Sequence, residues 1–298
     1  MKTDGRRESG NIEDRRGQSA GGRGRMPGMR AGVGGGLGLL VVLVLALFLG
    51  VDPSKVIDPA ALQEPATTQA EPAQGPVAEN DIEASRRRLV AVVLAETEDT
   101  WNEIFARGGG AYEEPVLVLF RDAVESACGF AESAAGPFYC PPDRKLFLDL
   151  GFFDDMEQKL GAGGDFAMAY VIAHEVGHHV QTLLGISEKV MQLRSRAAPE
   201  RSNELSVRLE LQADCFAGIW ARRTQSSTGI IEDGDIEEAL NAAAAVGDDR
   251  LQRRAQGRVM PETFTHGSSA QRVEWFRRGF QSGELASCDT FNGRVTLR

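Results

Sequence analysis

Three residues in one short string could carry chemistry: His174, Glu175 and His178, within HEVGHH. On an α-helix, positions four apart lie about 40° apart on one face and roughly one turn along the axis, so two imidazoles at this spacing reach one cation. Glu175 sits about 100° round from His174, which makes it a poor third ligand and a good partner for a water held by that cation. This H-E-x-x-H pattern is the arrangement of metal-assisted hydrolysis, with zinc as the cation and Glu175 as the base.

The element that must position them is the stretch 165–184, DFAMAYVIAHEVGHHVQTLL. Its apolar residues Phe166, Ala169, Tyr170, Ile172, Ala173, Val176, Val180 and Leu183 recur at spacings of three and four. That predicts a helix buried on most of its circumference, with Asp165 as N-cap and Gly185 as stop. A chance H-E-x-x-H on a solvated helix is the alternative reading, and the apolar surroundings argue against it. Burying two histidines and a glutamate without a metal or partners costs several kcal/mol. Gly177 costs the helix about 1 kcal/mol relative to alanine, which close approach of another backbone or of substrate explains. The phase of His179 turns it away from the two presumed ligands, towards an outer layer of the site or the surface.

A zinc hydrolase site needs a third protein ligand. The chain has four histidines, His174, His178, His179 and His266, so a three-histidine site would have to use His266. A carboxylate is the other option. The spacing predicts a second long helix over about 203–224, containing Glu210-Leu211-Gln212-Ala213-Asp214. Glu210 has apolar neighbours in Leu209, Leu211, Ala213, Phe216 and Ala217, which the competitors Glu204, Glu232, Glu237 and Glu238 lack. Glu204 is expected to pair with Arg208 on the surface. Asp214 shares the face of Glu210, from which it can accept a hydrogen bond from the second ring nitrogen of a ligating histidine.

The 298 residues, 42% hydrophobic and 26% charged, allow one catalytic domain plus appendages and exclude disorder for most of the chain. Residues 1–30 hold eight basic residues against four acids, a net charge of +4 against −10 overall. The run 31–51, AGVGGGLGLLVVLVLALFLGV, has 21 uncharged residues. About 20 apolar residues cover the hydrocarbon core as a helix, so 31–51 is expected to be an uncleaved membrane anchor rather than a signal peptide. The arginines ahead of it then place residues 1–30, a disordered basic head, in the cytoplasm and everything after Val51 outside it, periplasmic or at the cell surface. This topology accounts for the basic head, so no nucleic acid is expected as a partner. Residues 52–80, with five prolines and no apolar period, read as a tether.

The folded part is expected over 81–298. A helix begins at Asp81 and ends at glycines 108–110; PVLVLF (115–120) reads as a buried strand and KLFLDL (145–150) as a strand at a sheet edge; 154–160 reads as a short helix. His266, in FTHGSSAQ, opens a helix running through Phe280 and is the candidate donor to a developing oxyanion; the alternative is a polar helix-start residue outside the site.

The strings GPFYCP, VIAHEVGHHVQ, ELQADCFAG, TFTHGSSAQRVEWF and CDTF together resemble the putative neutral zinc metallopeptidase family of bacterial membrane proteins. The likeness takes in the arginine-rich head, the glycine-rich apolar run and about 81–295. More distantly, H-E-x-x-H with a downstream E-x-x-A-D is similar to the gluzincins. The resemblance implies an α+β, mainly helical, zincin-like domain with a small β-sheet behind a single transmembrane helix and a Pro-rich linker. It implies one zinc per chain on His174, His178 and Glu210, Glu175 as base, Asp214 behind the ligands, and a peptide or protein substrate. A catalytically silent zinc-binding scaffold or adaptor is the rival reading. Four cysteines outside the cytoplasm read as disulfides, for which three pairings exist. The expected one joins Cys128 to Cys140 across a short loop and leaves Cys215 for Cys288; Cys215 as a buried free thiol is the alternative. An extended peptide is expected to add as a strand to 145–150 or to the GPFYC segment.

Overall fold

A computed structural model of the chain describes residues 1–18, 79–132 and 136–292. The expected membrane helix at 31–51 and nearly all of the tether at 52–80 lie outside the described residues. Among the described residues, no helix is long and apolar enough to cross a membrane. The architecture is α+β and mainly helical, with a four-stranded sheet against the helices and a separate two-stranded hairpin.

Helix α1 (Asp81–Arg107) starts where the Asn80 side chain accepts from the backbone N–H of Glu83 at 2.9 Å, and it ends at Gly108 as expected. Its middle, from Leu89 to Trp101, is buried on most sides. The mixed sheet has the order β1 (Ile12–Asp14), β2 (Val116–Phe120), β6 (Lys145–Asp149), β5 (Phe138–Cys140); the hairpin is β3 (Ala123–Ser126) and β4 (Gly129–Glu132). β1 and β6 run parallel to β2, and β5 runs antiparallel to β6. The expectation of an edge position for 145–150 is corrected: β6 is interior, and Leu146, Phe147 and Leu148 are buried in succession as in a strand covered on both faces. The edge strand beside β6 is β5, the GPFYC segment.

Residues 1–18 are a second correction. They are folded onto the domain rather than forming a disordered head, with Ile12, Glu13 and Asp14 in register with Leu117, Val118 and Leu119. Arg16 is buried between Asp14, Glu79 and Glu83. The physical reason is that the arginines of this segment meet carboxylates exposed by α1, so their charge is consumed in packing. The folded unit therefore begins ahead of residue 81.

Short α2 (Phe152–Gln158) leads to α3 (Asp165–Leu183), the helix that carries HEVGHH. Its N-cap is Gly164 with φ 116°, not Asp165, because a backbone with positive φ at that point favours glycine. Gly185 stops it in the left-handed region as expected. The polar stretch that follows folds into α4 (Ile186–Arg194), anchored by the buried pair Ile186 and Val190 one turn apart. α5 (Pro199–Thr228) is longer than the predicted 203–224, since Pro199 suits the first turn and Gly229 supplies the left-handed stop. α6 (Asp235–Ala245) and α7 (Asp248–Gln256) precede α8 (Ser269–Ser282), which Ser268 and Gln271 open as a reciprocal capping box.

Two disulfides join Cys128 to Cys140 and Cys215 to Cys288, and there is no free cysteine. The first ties the hairpin to strand β5, and the second ties the C-terminal turn Leu285–Cys288 to α5.

Candidate metal centre

The site is built where α3 crosses α5. A Cβ on Gly177 would meet the backbone of Ala213 at 3.0–3.1 Å, so the glycine is there to let the two helices touch. Contact at that point brings Glu210, one turn before Ala213, opposite the histidines. Glu210 Oε2 lies 3.2 Å from His174 Nε2, and its Oε1 lies 3.5 Å from His178 Nε2. Ligand atoms from these three residues fall within 4.8 Å of one another. Two imidazole nitrogens and one carboxylate, converging on a shared point, are the donor set that suits zinc with a position left for water.

The outer contacts decide which nitrogen of each histidine is available. His174 Nδ1 donates to Asp214 Oδ1 at 2.8 Å, which turns Nε2 towards Glu210. Asp214 is fully buried and also accepts from Tyr170 Oη at 2.6 Å, Arg272 Nε at 2.8 Å and Arg272 Nη2 at 2.9 Å. For His178, Gln181 does the same work. The Gln181 amide nitrogen donates to the Leu209 carbonyl at 2.7 Å and to Gln212 Oε1 at 3.2 Å, so its oxygen faces His178 and accepts from Nδ1 at 2.9 Å. Gln212 in turn donates to the Cys288 carbonyl at 2.9 Å, so the Cys215–Cys288 bridge supports the same ladder.

Electrostatics follow from this geometry. Burial pushes Asp214 up, but the charges of Arg272 and His174 outweigh it and hold its pKa at about 2. Burial pushes His174 down, but Asp214 and Glu210 together raise it to about 9. Glu210 is held well below the carboxylate range despite its burial, because both histidines face it. The metal-free site therefore keeps a proton where a cation would sit. Glu175 is shifted the other way: burial raises its carboxyl pKa against the pull of His178 and His174. The cluster thus holds one carboxylate of depressed and one of raised pKa, the division of labour expected of a ligand and a proton carrier.

The structure brings together His174, Glu175, His178, Glu210 and Asp214. His179 is buried away from the ligands, where its Nε2 donates to the Glu113 carbonyl at 2.6 Å and its Nδ1 accepts from Tyr139 Oη at 3.0 Å; it fastens edge strand β5 to α3. Glu204 pairs with Arg208 at 2.8 Å on the exposed side of α5, as expected of a surface group. Glu232 and Glu238 lie at the other end of α3, Glu232 beside the Met1 amino group and Glu238 on the Phe166 amide. His266 is half-exposed in the loop before α8, with Nδ1 3.3 Å from Asp248 Oδ1. The hydrogen bond to Asp248 raises its pKa against the effect of burial, and the negative charge of Glu210 adds to the rise. Sequence reasoning missed Arg272, Tyr170 as a polar group, Gln181 and Gln212. The one usable signal was Arg272 itself, a charged residue four positions before Phe276 on the apolar side of a helix.

Comparison with known proteins agrees with the chemistry of the site. The chain is 51% identical over 296 residues, 99% of this chain and all of the relative, to the uncharacterized protein YpfJ of Escherichia coli. It is 42% identical over 258 residues, 83% of this chain and 85% of the relative, to the uncharacterized protein Rv2575 of Mycobacterium tuberculosis. No solved structure matches it. The model of the family described as "Putative neutral zinc metallopeptidase" matches residues 1–291, and the chain belongs to that family.

Proposed function

We propose that the chain is a zinc-dependent endopeptidase that cleaves proteins or peptides outside the cytoplasm, in company with the membrane that the run 31–51 would enter. The convergence of His174, His178 and Glu210, with Asp214 and Gln181 holding the two imidazoles so that each turns its Nε2 towards Glu210, carries this reading. The two disulfides support an oxidising compartment. These residues would hold one zinc ion, which when bound lowers the pKa of water towards neutrality and polarises a carbonyl.

Around that ion the chain's own groups have distinct tasks. Glu175, kept out of the ligand set by its phase on α3, takes a proton from the attacking water and returns it to the leaving nitrogen. Burial raises its carboxyl pKa, the direction that favours its taking up a proton. His266 donates to the oxygen that becomes anionic, and Asp248 orients it: the carboxylate accepts from the backbone N–H groups of Thr265, His266 and Gly267 as well as facing the ring. Substrate lies along β5, whose outer edge has no partner strand among the described residues and which His179 and Tyr139 hold beside α3.

The test is Glu175→Gln in the full chain, measured for zinc content and for cleavage of a broad peptide library. Zinc is expected to stay at one per chain while cleavage falls at least about 10²- to 10⁴-fold. Equal zinc and equally slow cleavage in both proteins would replace the endopeptidase with a metal-holding scaffold. Glu210→Ala is expected to lose zinc and Glu204→Ala to keep it; retention in both would move the third ligand elsewhere.

A further inference from the structure

The N-terminal segment is bound to the domain through carboxylates buried on α1. Glu98, buried in the middle of α1, meets Arg7 Nη1 at 2.8 Å, Asn11 Nδ2 at 2.9 Å and the hydroxyl of Ser9. Glu96, also buried, meets Arg6 Nη1 at 3.0 Å. Backbone bonds run alongside: Ser9 N to Ala91 O at 2.9 Å, Leu117 N to Asn11 O at 2.8 Å and Arg15 N to Leu119 O at 2.8 Å. Lys145 in β6 reaches across to Glu13 at 2.7 Å. A carboxylate buried without its partners is expensive, so α1 carries its acids in anticipation of this segment.

These distances bear on the membrane. A single crossing at 31–51 would put residues 1–30 and 52–298 on opposite sides of a hydrocarbon layer about 30 Å thick. Contacts of 2.8–2.9 Å across that layer are impossible. The charge argument for such a crossing also weakens, because residues 1–18 hold five basic and four acidic residues and Arg6, Arg7, Arg15 and Arg16 are each paired with a carboxylate.

We infer that residues 1–18 and the metallopeptidase domain share one side of the membrane, so that the apolar run at 31–51 does not separate its two flanks. The inference does not depend on catalysis, and its test reads topology alone. Gly10→Cys, at an exposed position where a Cβ meets nothing within 4 Å, and Arg277→Cys, on the exposed side of α8, add single free thiols to the full chain. Each is exposed to a membrane-impermeant maleimide in right-side-out and in inside-out vesicles. The two thiols are expected to react in the same vesicle orientation; reaction in opposite orientations overturns the inference. Unmodified protein in its membrane gives a second measurement through zero-length carbodiimide crosslinking and peptide mapping. A Glu13–Lys145 link is expected beside the exposed Asp155–Lys159 link. Recovery of the Asp155–Lys159 link without the other counts against the inference in the same way.

Discussion

Asp214 and Glu98 are both buried carboxylates paired with arginine, yet they are satisfied from opposite directions. Asp214 takes its partners from helices of the same bundle: Tyr170 and His174 on α3 and Arg272 on α8. Arg272 is itself almost wholly buried. Glu98 takes its partners from residues 7–11, which lie about ninety positions earlier in the chain, and its arginine is half-exposed, at 49% for the side chain. In the first case the network orients the His174 imidazole and is closed off from solvent. In the second it fastens a segment and is open to solvent at its rim. The same pair of charges therefore has a chemical task in one place and an assembly task in the other.

The comparison can be broken most decisively at Arg272. Arg272→Met strips Asp214 of its buried counter-charge, and breaking such a pair by removing one partner costs about 3–5 kcal/mol. Zinc affinity is expected to fall about 10- to 100-fold as His174 loses its orientation. Denaturant unfolding and competitive zinc titration measure the two effects. A variant that unfolds like wild type would show that Asp214 is not dependent on the arginine.

A pH experiment sharpens the same point. In the metal-free protein the His174 pKa is raised from 6.5 to about 9, so the stability it contributes is complete below pH 6.5 and is lost as the pH rises through about 9. The loss is up to about 3 kcal/mol on the conversion of 1.36 kcal/mol per unit. Zinc-loaded protein has no such proton to lose, so its thermal midpoint should stay level over the range in which that of chelator-treated protein falls. Parallel curves would mean that His174 and Asp214 are not coupled as drawn.

The smallest effect belongs to the N-terminal clamp. Arg7→Ala removes a half-exposed ion pair worth about 1 kcal/mol or less, while Ser9 and Asn11 still satisfy Glu98. Stability is expected to drop slightly and zinc affinity not at all. A change in zinc affinity would join the two clusters into one network.

Much of the site was legible because its information is local. The spacing of His174 and His178, and of Glu210 and Asp214, is a helical period, and a helix turns that period into a shared face whatever it packs against. Gly177 was legible as a close approach for a similar reason, since a glycine inside a buried helix has a cost that something must offset. Lys145–Asp149 was misread as an edge because its alternation and aromatic content say that it is a strand and nothing about which strands lie on either side.

The helix that carries His174 and His178, the residue types that could surround a cation and the helical identity of the carrying elements could all be read from the chain, because backbone periodicity and side-chain chemistry act over one or two turns. Folding was needed to show that Arg272 closes on Asp214, that Gln181 and Gln212 link His178 to the Cys215–Cys288 bridge, and that residues 12–14 complete the sheet. Each of these joins groups far apart in the chain. A buried charge demands a partner but does not say from which distant segment that partner comes, and that choice is made by the packing of the whole domain.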